Sequence, residues 1–145
     1  MNYVVKETSL EESLKVFNKI PEWNRPEAGT VDYCLKRING RDNLILSAYV
    51  NNENVGYFIA YEENGDFYCW VAAIVSEYRR MGILKEMLNI CTKYAKEHGY
   101  HKLTAKTMNN KRELLYFAVK NGWNFVKVVP MNNILENEIF IEKEI

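Results

Sequence analysis

The feature that most constrains this chain is a change of hydrophobic period near residue 80. Before it, three apolar stretches at 44–50, 55–61 and 67–75 are parted by Asn51-Asn52-Glu53-Asn54 and by Glu62-Glu63-Asn64-Gly65-Asp66. Short apolar and aromatic runs between turn-forming residues read as strands joined by hairpins. After it, Ile83, Leu84, Met87, Leu88, Cys91, Tyr94 and Ala95 recur at helical spacing up to His98-Gly99. Glycine can end a helix there. A meander of strands followed directly by a long amphipathic helix calls for a layered, mixed structure.

The flanking segments complete it. Tyr3, Val4 and Val5 mark a strand over 2–6. Ser9 and Glu12 form a capping-box pattern that opens a helix with Leu10, Leu14, Phe17 and Ile20 on one face. Pro21 and Pro26 break that helix, with Glu22-Trp23-Asn24-Arg25 as a loop or bend. A further helix spans 31–38 and ends at Asn39-Gly40. Downstream, 102–108 is a strand. Asn110-Lys111-Arg112-Glu113 reads as a second capping box, opening a helix that carries Leu114, Leu115 and Ala118 and stops at Asn121-Gly122. Strands at 124–129 and 134–144 close the series. The order is β-α-α-β-β-β-α-β-α-β-β, an α+β sheet flanked by helices, and 145 residues suit one domain over 1–145.

Charge narrows the function classes. Lys+Arg 19 balances Asp+Glu 19, which argues against a nucleic-acid partner. No apolar run approaches the roughly 20 residues that cross a bilayer. Residues 1–7 lack the apolar core of a signal peptide. Cys34, Cys69 and Cys91 are too scattered for a zinc site or a disulfide framework, so no metal is expected and the cytoplasm is the expected compartment.

Chemistry concentrates where the period changes, at Ile74-Val75-Ser76-Glu77-Tyr78-Arg79-Arg80-Met81-Gly82-Ile83-Leu84. A strand ends, a short basic loop with one glycine follows, and a long helix begins. Helix N-termini carry unpaired N–H groups and the positive end of the helix dipole, and they bind phosphate. Gly82 lets backbone approach an anion, and Arg79 and Arg80 add charged donors. The same residues also read as a solvated basic turn, and physics alone does not separate the two.

The segment resembles motif A of the GNAT superfamily of acyl-CoA-dependent N-acyltransferases, whose loop reads Gln/Arg-x-x-Gly-x-Gly/Ala. Arg79 and Gly82 match, and Leu84 departs from the usual Gly or Ala. The family's preceding Val-x-Pro-Glu-Tyr-Arg is similar to Ile74-Val75-Ser76-Glu77-Tyr78-Arg79, with Ser76 for the proline. Helix 110–121, ending in Asn121-Gly122-Trp123, resembles motif B. The element order agrees over nearly the whole chain. The resemblance implies a mainly antiparallel sheet of about seven strands with about four helices, splayed at a central parallel pair.

It also implies site roles. Backbone N–H groups of Arg80, Met81, Gly82, Ile83 and Leu84 would hold a CoA pyrophosphate, with Arg79 beside it. Backbone at Ile74 and Val75 would pair with the pantetheine arm, and an N–H near Ile74 would polarise the thioester carbonyl. Asn109 or Asn110 falls near the family's motif-B asparagine, although an N-cap role explains Asn110 as well. Ala118 occupies the position where many members carry the tyrosine that protonates the departing thiolate. Tyr116 lies two residues away, roughly 200° around a helix.

A general base is not legible. Glu62, Glu63 and Asp66 read as turn residues, His98 as a helix end and His101 as unpartnered. Cys69 and Cys91 read as core. Glu27 and Asp32 are candidates for amine recognition in the variable region over the substrate, where Trp23 and Tyr33 could shape a pocket. Their acidity hints at a cationic amine, a hint weakened by Arg25, Lys36 and Arg37. The resemblance thus implies an N-acetyltransferase in which a small-molecule or peptide amine attacks acetyl-CoA directly, with a homodimer possible through the C-terminal strands. The alternative is a catalytically degenerate acyl-CoA sensor or interaction module of the same fold.

Overall fold

The computed structural model describes residues 2–20 and 25–145. Pro21 and the Glu22-Trp23-Asn24 bend expected from the sequence lie outside the described residues. Seven strands form one sheet: β1 (Val4–Glu7), β2 (Asn43–Val50), β3 (Glu53–Glu63), β4 (Asp66–Ile74), β5 (Lys102–Met108), β6 (Asn124–Val129) and β7 (Glu138–Glu144). Their order is β1-β2-β3-β4-β5-β7-β6. Every pair is antiparallel except β4 and β5. The helices are α1 (Leu10–Leu14), α2 (Val31–Ile38), α3 (Ile83–Glu97) and α4 (Arg112–Lys120). No helix among the described residues is long and apolar enough to cross a membrane.

The hairpins follow from their turn residues. Asn51 and Asn52 join β2 to β3 at φ 50 and 66, and Asn64 and Gly65 join β3 to β4 at φ 55 and 88. Asn and Gly tolerate these left-handed conformations, and such two-residue turns match the twist of paired strands. Ser9 caps α1 through the Glu12 N–H at 3.1 Å, and Thr30 caps α2 through the Tyr33 N–H at 3.2 Å.

Two cores cover the two faces of the strongly apolar strands. On one, Ile83, Met87, Cys91 and Ala95 of α3 and Ala118 of α4 pack on Leu44, Leu46, Phe58, Phe67 and Leu103. On the other, Leu10, Leu14, Phe17, Cys34 and Ile38 cover Tyr57, Ile59, Tyr61 and Ala73. Each fully buried Leu or Phe contributes roughly 1.5–3 kcal/mol. A polar clamp holds the far end of α3, where Asp42 accepts the Tyr94 hydroxyl and, at 2.9 Å, the Tyr100 hydroxyl. Burial, then that hydrogen bond, pushes the Tyr100 hydroxyl up to about 12.

Three expectations shift. The helix expected to run unbroken toward Ile20 stops at Leu14, and a short turn at Phe17–Lys19 carries Phe17 into the core. The last strand begins at Glu138 rather than 134, because Ile134–Glu136 is a turn capped by the Asn133 side chain. Asn110 is not a helix cap: α4 begins at Arg112 with Lys111 at its N-cap and no side-chain capping bond. Glu113, which a capping box needs, is drawn off by Arg80.

Candidate active site

The site begins at a failure of pairing. β4 and β5 share three rungs, Phe67–Leu103, Tyr68–Thr104 and Cys69–Ala105. Above Cys69 and Ala105 they part, and β5 continues with β7 up to Met108–Glu138. The gap is a wedge through the sheet, with residues 70–74 on one wall and 106–108 on the other.

A β-bulge sets what the first wall presents. Opposite Ile59 and Ala60 stand Val71 and Cys69, so Trp70 is the extra residue. Beyond the bulge the Val75 N–H donates to the Val55 carbonyl at 2.9 Å, and Ile74 stands opposite Gly56. Antiparallel ladders alternate, so the N–H and C=O groups of Ala72 and Ile74 turn away from β3 into the wedge. The Ile74 carbonyl accepts the Arg79 Nε at 2.9 Å, which agrees with that direction. The Val75 N–H, given to β3, and the Val75 carbonyl, accepting from Tyr78 at 2.9 Å, are already used. The wall therefore offers the wedge the Ala72 backbone and the Ile74 N–H, not Val75.

Above this wall lies the loop. Arg80 sits at φ 66 and Gly82 at φ 93. The first helical bond runs from the Glu86 N–H to the Gly82 carbonyl at 3.0 Å, so the N–H groups of Ile83, Leu84 and Lys85 precede it. Gly82 is exposed, and a Cβ there would stand 3.4 Å from the Tyr3 hydroxyl in a backbone conformation that side chains resist. This is a cradle of backbone donors suited to an anion. The Arg80 guanidinium reaches from the loop to Glu113 on α4 and ties the two rims together. Met81 is half-buried against the core, and Leu84 is half-buried in the first turn of α3.

Other sequence-derived candidates lie elsewhere. Asn110 is exposed in the turn between β5 and α4. Its neighbour Asn109 ties that turn to the β6–β7 connection through the Ile134 carbonyl at 3.0 Å. Tyr116 is 70% exposed, while Ala118 on the same helix is buried. Glu27 pairs with Arg25 at 3.1 Å, and Asp32 pairs with Lys36 at 3.3 Å on the open face of α2. Both carboxylates are exposed and paired with near neighbours in the chain. Tyr33 stands 6.3 Å from the Trp70 ring, and Trp23 is outside the described residues. The His98 ring nitrogen meets the Tyr94 carbonyl at 2.8 Å, a helix-end role. Cys91 is buried, and a contact with Cys69 followed by burial holds its thiol protonated. The Cys34 thiol donates to the Ala28 carbonyl at 3.6 Å.

The sequence reading missed the second wall. Lys106, on β5 just past the last rung, pairs with Glu138 at 3.1 Å, and Glu138 stands opposite Met108 on the neighbouring strand. A lysine and a glutamate 32 positions apart carry no local signal; only the β5–β7 register joins them.

The sequence from 8 to 123 matches the model of the acetyltransferase (GNAT) family. No curated protein matches the sequence. Among solved structures, the chain is similar to Ard1 from Thermoplasma volcanium, with 14% identity, a TM-score of 0.82 and 100% and 99% of the two chains covered. It is also similar to the PaiA N-acetyltransferase of Thermoplasma acidophilum in complex with coenzyme A (15%, 0.78, all of both chains). A GNAT family acetyltransferase from Elizabethkingia anophelis with acetyl-CoA bound is similar at 18% identity and a TM-score of 0.72, covering 99% of each chain.

Proposed function

The chain belongs to the GNAT acetyltransferase family, and we propose that it is an N-acetyltransferase that moves acetyl from acetyl-CoA to a primary amine by direct attack. The observation that carries this reading is the wedge, because it joins an anion cradle to two inward-facing backbone rungs. The N–H groups of residues 80–84 would hold the pyrophosphate, and the cradle at Gly82 fits such a group. The Ala72 and Ile74 backbone would pair with the pantetheine arm as an added strand does. The Ile74 N–H would donate to the thioester oxygen, where charge develops during attack, a contact worth about 3–4 kcal/mol when such a donor is preorganised.

Proton transfer falls to other groups. Glu138 stands on β7, one strand beyond the β5 wall of the wedge and ion-paired with Lys106 of that wall, and we assign it the general base, reaching the amine through water. Lys106 fixes its orientation. With alanine at 118, the departing thiolate takes its proton from water, which the open wedge admits; a thiol is acidic enough for this.

The enzyme would work as one domain over residues 1–145. The free thiols of Cys34, Cys69 and Cys91 support a reducing compartment, the cytoplasm. The outer edge of β6 is unpaired, with Phe125, Val126 and Val128 exposed at 45%, 52% and 55%, which supports a homodimer along that edge. Light scattering tests it. The test of function is calorimetric binding of acetyl-CoA followed by thiol release with amine acceptors. Binding without any turnover would leave the acyl-CoA sensor as the better description.

A further inference from the structure

On the α2 side of the sheet, an open groove of about 590 Å³ begins at the last rungs of β4 and β5 and runs between α2 and the β6–β7 edge. Tyr68, Thr104 and Lys106 line its wedge end. Its volume suits one small ligand.

The charges in this groove are arranged unevenly. Glu142 is already held by Lys102 at 3.4 Å, as Glu138 is by Lys106 at 3.1 Å. Three cations instead lie on aromatic rings: Arg37 at 4.6 Å from the Trp70 centroid, Arg41 at 5.3 Å from Tyr61, and Lys127 at 5.2 Å from Phe140. Among the described residues, no carboxylate lies within ion-pair distance of these three. Glu63 and Asp66 line the same groove at the β3–β4 hairpin, the end away from the wedge, which Arg41 shares, but neither is ion-paired to Arg41. Arg41 also donates its Nη1 to the Glu62 carbonyl at 3.4 Å, whereas the Arg37 guanidinium, stacked on Trp70, keeps its edge available, and guanidinium matches a carboxylate in two-point geometry.

We propose that this groove is the acceptor subsite and selects an amine bearing a carboxylate at its other end, with Arg37 and Arg41 holding the carboxylate and the amine directed into the wedge. The inference rests on the acetyltransferase reading for the chemistry but not for the binding. A dicationic amine meets repulsion from Arg37 and Arg41 at the end that would take the carboxylate.

The test uses three probes of similar length: 6-aminohexanoate, hexylamine and 1,5-diaminopentane. With acetyl-CoA saturating, 6-aminohexanoate is expected to exceed hexylamine in kcat/KM by about tenfold or more, with the diamine last. Arg37→Gln and Arg41→Gln, separately and together, should collapse that ratio toward one, and raised salt should shrink it in the wild type. A preference for the diamine, or a ratio that survives the double substitution, overturns the assignment. Calorimetric titration of the same probes, alongside acetyl-CoA, separates the two layers. Failure of acetyl-CoA to bind sinks the acetyltransferase reading, while the probe titration still decides the groove. Acetyl-CoA binding without discrimination among the amines sinks the groove alone.

Discussion

The two arms of the sheet are built to different standards. In β3, seven consecutive residues from Val55 to Tyr61 are buried, with α3 on one face and α1 and α2 on the other. In β6, five of six residues are exposed, and among the described residues β5–β7 are covered by α3 and α4 on one face only. The wedge lies on the seam between them. A fully covered arm supplies rigidity, and a half-covered arm leaves a face where a substrate can lie. A sheet covered on both faces throughout would be more stable and would have no groove.

This contrast is broken or sharpened by substitution. The largest effect belongs to the covered arm: Phe58→Ala, at a 1% exposed position, should cost about 3–5 kcal/mol, read from denaturant midpoints. Phe125→Ala at 45% exposure should cost far less, and equal costs would erase the distinction. Next comes the seam. Glu138→Gln should lower kcat about 100-fold, or about 2.7 kcal/mol of barrier, without moving the thermal midpoint. An unchanged kcat removes Glu138 as the base. Gly82→Ala, at φ 93, should cost about 1–2 kcal/mol of stability and weaken acetyl-CoA binding; unaltered affinity would mean the loop holds no phosphate.

The tyrosine clamp gives a pH signature confined to the covered arm. The Tyr100 hydroxyl rises from 10.0 to about 12 in the folded chain. The folded state thus holds that proton more tightly, and the contribution is full below about pH 10 and lost as pH climbs through 12. Tyr100→Phe should flatten the alkaline loss of stability between those values, seen in pH-dependent urea unfolding. The smallest effect is expected at Val128→Ala, 55% exposed on β6, within about 0.5 kcal/mol in the monomer. A larger loss that depends on protein concentration would place β6 in a dimer contact.

Most of the elements were legible because their signals are local. The bounds of 31–38, 102–108 and 124–129 agree with the structure to the residue. The hairpin turns declared themselves through Asn and Gly, and the basic loop through its place between a strand and an amphipathic helix. Local signals also misled. Asn110 has the composition of a cap, but Glu113 finds Arg80, 33 positions away, a stronger partner than its own backbone. Residues 134–137 suit a strand, yet Asn133 turns them.

What the sequence determined by itself is the order and kind of most elements, the basic loop that precedes α3, and, by resemblance, the family. Those follow from backbone conformation and hydrophobic period, which act over a few residues. Only the tertiary structure decided where β5 leaves β4, which backbone groups the Trp70 bulge turns inward, that Lys106 meets Glu138, and that cations from α2, its following loop and β6 face one groove. These depend on register between segments distant in the chain. Register is set by which arrangement buries the most apolar surface with every strand paired, a global condition that no local pattern records.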